Sequence, residues 1–236
     1  MDFLRAPLAF RFMNASEKRK SYSFGVVEEA TGSCEYRIGK TAVLAWVAGP
    51  VACKPRIEIP ERAHFSVNVA SLNAPPSYKQ ASLKTFLTES LSRIIIMETF
   101  PRAMIELNVT PLSVDGSLFM AAFNASMAAL LHSGIPLKAV WVACTACLLD
   151  DKLCASPAES EEVQVAELNA QDNHSASIHA CVYAEDGLVE VNRSLGAFNF
   201  EEMTTLHATL RPYAHAEREL LLSSANAQIL QAPKQQ

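Results

Sequence analysis

Glycine is scarce, with 8 residues among 236, which excludes a collagen-like chain or a flexible linker protein. Basic charge is not in excess: 20 Lys and Arg face 25 Asp and Glu, a formal net charge of −5. Any nucleic-acid contact must therefore come from a local basic patch or from neighbouring subunits. Six cysteines, Cys34, Cys53, Cys144, Cys147, Cys154 and Cys181, are too sparse for a disulfide scaffold. The start, Met1-Asp2-Phe3-Leu4-Arg5, has no basic region leading into an apolar stretch. No signal peptide is legible, and we expect a reducing, intracellular setting. Residues 116–137 lack charge, but Ser117, Asn124, Ser126, His132 and the stop Gly134-Ile135-Pro136 mark a buried helix rather than a membrane span. Half of the chain is apolar, enough to bury a sizeable core.

What is present is an irregular succession of strands and helices. Residues 1–20 carry mixed charge without a period and are expected to be an extension. Strands are expected at 21–28, 33–37 and 41–47, the last ended by Gly49-Pro50, and a half-buried strand at 64–70. Ala74-Pro75-Pro76-Ser77 opens a helix with a stripe of Leu83, Phe86, Leu87, Leu91, Ile94 and Ile95. A strand at 103–112 follows, then the uncharged helix 117–133, with Asp115 as its expected cap. Residues 138–148 read as a buried strand, Asp150-Asp151-Lys152 as a turn, and 155–162 as a loop. Further strands are expected at 163–168, 175–185 and 188–192, with Glu185-Asp186-Gly187 turning the last pair. Asn199 and Glu202 form a capping box for a last helix, which Pro212 should kink or split. The expectation is one α+β domain over residues 21–230, with mixed sheets, three main helices and a frayed tail at 231–236.

Motifs for chemistry are few. Cys144-x-x-Cys147 has redox or zinc spacing, but it lies in an apolar strand without a second pair and reads as small buried thiols. His174 and His179 do not form a metal-binding pair of the HxxxH kind. The acidic groups at Asp150-Asp151 and 159–162 read as solvated. There is no nucleophile elbow, P-loop or dinucleotide fingerprint. No metal or cofactor is expected. Positive charge clusters at Lys18-Arg19-Lys20, at Lys54 and Arg56, and at Lys79 and Lys84. These residues could neutralise a few phosphates, and Lys54, Arg56, Lys79 and Lys84 are the candidate RNA contacts.

Several phrases, in order, resemble the RNase PH superfamily. They are the strand Thr41-Ala42-Val43-Leu44-Ala45-Trp46-Val47-Ala48-Gly49-Pro50, the phrase Phe100-Pro101-Arg102-Ala103-Met104-Ile105-Glu106-Leu107, and Asp115-Gly116-Ser117-Leu118 through Asn124-Ala125 to Gly134-Ile135-Pro136-Leu137. The hairpin Asp186-Gly187-Leu188-Val189-Glu190-Val191-Asn192 fits as well, and the resemblance spans about residues 22–225. It implies an RNase PH-like fold of the ribosomal protein S5 domain 2 type. Active members cleave RNA 3′ ends by phosphorolysis, which requires cations and backbone donors around two phosphorus centres and a carboxyl group for proton transfer.

The resemblance places phosphate on Gly-[Ser/Thr]-Arg at the start of the central helix. Here that phrase is Gly116-Ser117-Leu118, without the guanidinium. Lys79 aligns with a second arginine and lacks its bidentate fork. The catalytic aspartate belongs where Asn173-His174-Ser175 stand, with Asp172 a poor substitute. The resemblance thus implies a degenerate phosphate site (Lys79, Gly116, Ser117, Leu118) with no catalytic residue, in a structural ring subunit of the eukaryotic RNA exosome. Implied partners are other RNase PH-like subunits in a six-membered ring, S1/KH cap proteins, a hydrolytic 3′→5′ nuclease, and RNA. Ribosomal RNA processing in nucleus and nucleolus, and RNA decay there and in the cytoplasm, are expected. The alternative is a residual phosphorolytic or metal-dependent nuclease acting as a homodimer.

Overall fold

The computed structural model describes residues 19–70, 78–149, 152–170, 176–187 and 189–231. The first sheet has five strands: β1 (Lys20–Phe24), β2 (Gly32–Ile38), β3 (Thr41–Ala52), β4 (His64–Val69) and β5 (Ala103–Ser113). Their spatial order is β1-β2-β3-β5-β4. All pairs are antiparallel except β4 with β5. That parallel step requires a crossover, which helix α1 (Tyr78–Ile94) supplies. Alternation fixes the register: Val43, Ala45 and Val47 of β3 and Ile105, Leu107 and Val109 of β5 are fully buried, and the residues between them are half-exposed.

Helix α2 (Leu118–His132) packs on the buried face of this sheet and also reaches the second one. The second sheet has the order β7-β6-β8-β9, from β6 (Val142–Leu149), β7 (Lys152–Ala155), β8 (Ala176–Tyr183) and β9 (Val189–Gly196). Helix α3 (Glu159–Ala170) covers one face of it, and α2 with α4 (Phe200–Gln231) covers the other. Asn124 on α2 ties helix to sheet. Its side-chain oxygen accepts from the Ala143 N–H at 2.8 Å, and its amide donates to the Ala143 carbonyl at 3.2 Å.

The α+β class with mixed sheets is as expected, but the described residues form four α-helices where three main ones were expected. Residues 163–168, expected as a strand, lie inside α3, and the expected loop at 155–162 holds the end of β7 and the start of α3. The cause is legible afterwards: Glu159, Glu161 and Glu162 favour a helix N-terminus, while Val165 and Leu168 turn inward and Val163 stays exposed. Strand β3 continues through Gly49-Pro50, because a bulge between Ala48 and Val51 absorbs them at the exposed end. Strand β1 stops at Phe24, where Gly25 takes a φ of 72°. Strand β6 begins at Val142 rather than at 138.

Asp115 does not cap α2: the N-cap residue is Ser117, which makes no side-chain cap bond, and the Ser117 N–H donates to Glu162. The capping box forms: the Asn199 N–H donates to Glu202 Oε2 at 2.8 Å. Helix α4 runs through Pro212 without splitting, because Leu206, Leu210, Ala214 and Leu221 on both sides of it are buried in one core. The expected extension loses Lys20, which begins β1. The rest of it to residue 18, the helix opening at 74–77, the aspartates Asp150 and Asp151, and the tail from 232 lie outside the described residues. No described helix is long and apolar enough to cross a membrane.

Candidate functional site

The start of α2 is the natural anion site of this fold, because first-turn amides lack intrahelical acceptors. In this chain the Ser117 turn that leads into them is already engaged. The Ser117 N–H donates to Glu162 Oε1 at 2.6 Å, and the Ser117 hydroxyl donates to the Pro157 carbonyl at 2.8 Å. Ser117 itself is buried and takes a left-handed φ of 54°. Gly116 faces backbone: a Cβ there would lie 2.4 Å from the Pro157 oxygen and 2.5 Å from the Ala158 carbonyl carbon. The lead into α3 therefore sits directly on the Gly116-Ser117 turn. Glu161 holds that lead in shape, since its Oε2 accepts from the Ala158 N–H at 2.7 Å. A carboxylate thus occupies part of the helix end to which the resemblance assigns phosphate. Its charge favours the positive end of the helix dipole and repels a second anion.

The remaining sequence candidates are scattered. Leu118 is half-buried and brings no charge. Lys79 and Lys84 are exposed on the first turns of α1. No hydrogen bond or ion pair among the described residues joins either lysine side chain to Gly116 or Ser117. The cation that does reach the start of α2 is one the sequence reading missed. Arg193, on β9, lies over the Phe119 ring at 5.0 Å and donates through Nη1 to the Ser82 carbonyl of α1 at 3.5 Å. Its signal was the one basic residue of β9, which only the β8–β9 pairing carries to that position. The positions expected to hold the catalytic aspartate, Asp172 and Asn173-His174-Ser175, lie outside the described residues.

Lys54 and Arg56 sit on the exposed loop between β3 and β4. The loop is built rather than loose. The Cys53 N–H donates to the Arg102 carbonyl at 3.2 Å, the Ile57 N–H to the Lys54 carbonyl at 3.0 Å, and the Arg102 N–H to the Ile59 carbonyl at 3.2 Å. Arg102 also pairs with Glu58 at 3.4 Å. Lys54, Arg56 and Arg62 thus share one exposed loop with Glu58 and Glu61, and Arg102, from the turn before β5, is tied to it.

The second sheet holds buried titratable groups. His179 bridges two hydroxyls, Ser177 at its Nε2 and Ser194 at its Nδ1, both at 2.8 Å. Burial, with a smaller contribution from His207, pushes its pKa down to about 4. Cys144 and Cys147 lie on opposite faces of β6, and burial pushes the Cys144 thiol up. Cys147 is also raised, first by its hydrogen bond with Cys154 and then by burial. All six cysteines are free, and the described residues contain no cluster of three or more ligands suited to a metal.

Residues 18–136 match the family described as 3′ exoribonuclease family, domain 1. The exosome complex component Rrp41 of Methanosarcina mazei is 28% identical over 191 residues, covering 76% of this chain and 36% of that protein. Rrp41 of Pyrobaculum aerophilum is 32% identical over 136 residues, covering 53% of this chain and 55% of that protein. The chain thus spans less than two thirds of the length of these relatives. Among solved structures, rice Rrp46 superimposes with a TM-score of 0.79 at 22% identity, over 94% of this chain and 98% of that one. An archaeal exosome core chain gives 0.70 at 18% identity, over 92% and 89%. The fold is RNase PH-like, and the chain belongs to the 3′ exoribonuclease family.

Proposed function

We propose that the chain is a structural, catalytically inactive RNase PH-like subunit of an RNA exosome ring, supporting 3′→5′ processing and degradation of RNA by the complex. The observation that carries this reading is the Glu162 carboxylate on the Ser117 N–H. The Ser117 hydroxyl is committed to Pro157, and Leu118 replaces the arginine of the family phrase. Losing one phosphate-binding cation and repelling the anion each cost a few kcal/mol of transition-state stabilisation, or orders of magnitude in rate. The structural neighbours support the assembly, being described as Rrp46 and as parts of exosome cores. In this reading the chain supplies ring interfaces to other RNase PH-like subunits, beneath S1/KH cap proteins and beside a hydrolytic nuclease. Lys54 and Arg56 offer phosphate contacts to passing RNA. The setting is nuclear and nucleolar, and also cytoplasmic.

The test is an end-product assay on the purified chain with a 3′-hydroxyl RNA and inorganic phosphate. No nucleoside diphosphate is expected. Phosphate-dependent release that disappears in Ser117→Ala or Lys79→Ala overturns the proposal, as does phosphate-independent cleavage that a chelator abolishes. Co-expression with RNase PH-like ring subunits should yield a stoichiometric complex, and failure to associate removes the assembly half of the reading.

A further inference from the structure

Helix α4 and the turn between β8 and β9 enclose an open recess of about 360 Å³. Its floor is apolar, with contributions from Val142, Ala184, Ala208 and Ala214. Its rim carries two guanidiniums from one wall. Arg211 donates through Nε to the Gly187 carbonyl at 3.1 Å, so the turn fixes its stem while its terminal amino groups keep donors for another acceptor. Arg218 is held by the Glu185 carboxylate and carbonyl, and its Nε is buried without a partner. Between them stands Pro212, inside the helix. Proline has no N–H, so the Ala208 carbonyl one turn earlier loses its usual donor, and Ala208 lines the recess. An apolar floor, a fixed guanidinium and an under-satisfied carbonyl lie within one helical turn.

We infer that this recess is a docking socket for a peptide segment of a protein partner, one that inserts an apolar side chain beside a carboxylate. The carboxylate pairs with Arg211, and a backbone N–H of the segment meets the Ala208 carbonyl. The charges choose between a peptide and a nucleic acid. Asp186 also lines the recess, beside the Glu185–Arg218 ion pair, and repels a phosphodiester chain running along it, whereas a single side-chain carboxylate on an apolar body can meet Arg211 and keep clear of it. The floor favours the same choice, because it offers burial to aliphatic or aromatic carbon and no surface for stacking bases. Nothing in this inference depends on the exosome assignment; a chain that failed to join any ring would still carry the socket.

The test is selection of random dodecapeptides displayed on phage against the full chain, followed by titration of synthetic versions. Recovered peptides are expected to place Asp or Glu next to a Leu, Phe or other large apolar residue. Their binding should shift the Gly187 and Ala208 amide resonances. Arg211→Glu should weaken them at least tenfold, and exchanging the acid for its amide should do the same. Pro212→Ala, which restores a donor to the Ala208 carbonyl, should weaken binding about threefold while the fold is retained. Peptides that bind Arg211→Glu as well as the parent chain overturn the inference. So does a selection in which no peptide depends on Arg211, or an octauridylate that moves the same two resonances.

Discussion

The five-stranded sheet packs one face on α2 and leaves the other half-exposed, whereas the four-stranded sheet lies between α3 and the pair α2 and α4. The difference is written into the strands. In β5 buried and half-buried residues alternate, but in β6 every residue from Val142 to Leu148 is buried. A strand with one wet face needs polar residues at every second position, and a strand covered twice has no use for them. The helices that do the covering are held differently as well. Helix α4 is stitched to the first sheet by a charge cluster: Glu217 is buried and accepts from Lys20 at 2.6 Å, Tyr22 at 2.7 Å and Tyr36 at 2.8 Å. Helix α3 rests on a small apolar cluster of Cys147, Cys154, Val165 and Ala176, with the Glu162 bond to the α2 turn as its polar tie.

The comparison breaks most severely at Glu217. Glu217→Ala removes the acceptor shared by three donors and leaves two tyrosine hydroxyls buried without it. Breaking a buried charged cluster from one side costs about 3–5 kcal/mol, which for a chain of this size lowers the melting temperature by roughly 10 °C. Glu217→Gln keeps the one oxygen that both tyrosines share, loses the ion pair with Lys20, and should cost about half as much. Thermal unfolding followed by circular dichroism measures both, and equal losses in the two variants would mean that the charge carries the whole effect and the retained oxygen and packing contribute nothing.

Legibility in the sequence followed the same divide. Strands of the first sheet were readable because alternation reports a single buried face, and the long apolar α2 was readable because nothing else explains residues 117–133. The order of strands and helices already implied the α+β class. Helix α3 was not readable: Val163, Val165 and Leu168 alternate closely enough to suggest a strand, and only the packing of Val165 and Leu168 beneath the second sheet decides against it. The degenerate site was half-legible. Leu118 in place of an arginine stands in the chain itself, whereas the partner of Ser117 is Glu162, 45 residues away, and Arg193 reaches α2 only through tertiary contact. Capping by a distant carboxylate leaves no local pattern, and the sequence offers only the adjacent Asp115 in its place.

His179 gives the second sheet an acid sensitivity that the first lacks at any comparably buried histidine. Its folded pKa of about 4 lies below the ordinary value of 6.5. Between those values the unfolded chain binds a proton that the folded chain refuses, so stability is full above about pH 6.5 and falls as the pH drops toward 4. A shift of this size is worth roughly 3 kcal/mol at its limit, and His207, also held below its ordinary range by burial and Arg211, adds in the same direction. Urea unfolding at pH 7 and at pH 4.5 should therefore show a smaller acid loss in His179→Gln than in the parent chain. An unchanged pH slope would place the acid sensitivity elsewhere.

The smallest effect sharpens the contrast at the seam between the halves. Glu162→Ala takes the carboxylate from the Ser117 N–H, a lost cap worth about 1 kcal/mol. Since α3 has little apolar area of its own in contact, the loss should appear locally before it appears globally. Amide exchange in α3 should quicken about fivefold, the factor that 1 kcal/mol commands, while β3 and β5 exchange as before. Removing Glu162 also leaves Leu118 uncharged and the Pro157 lead in place, so the variant should gain no phosphate-dependent release of nucleoside diphosphate. If exchange in the first sheet accelerated equally, the two halves would unfold as one cooperative unit, and the difference between a doubly covered and a singly covered sheet would be one of packing without consequence for local stability.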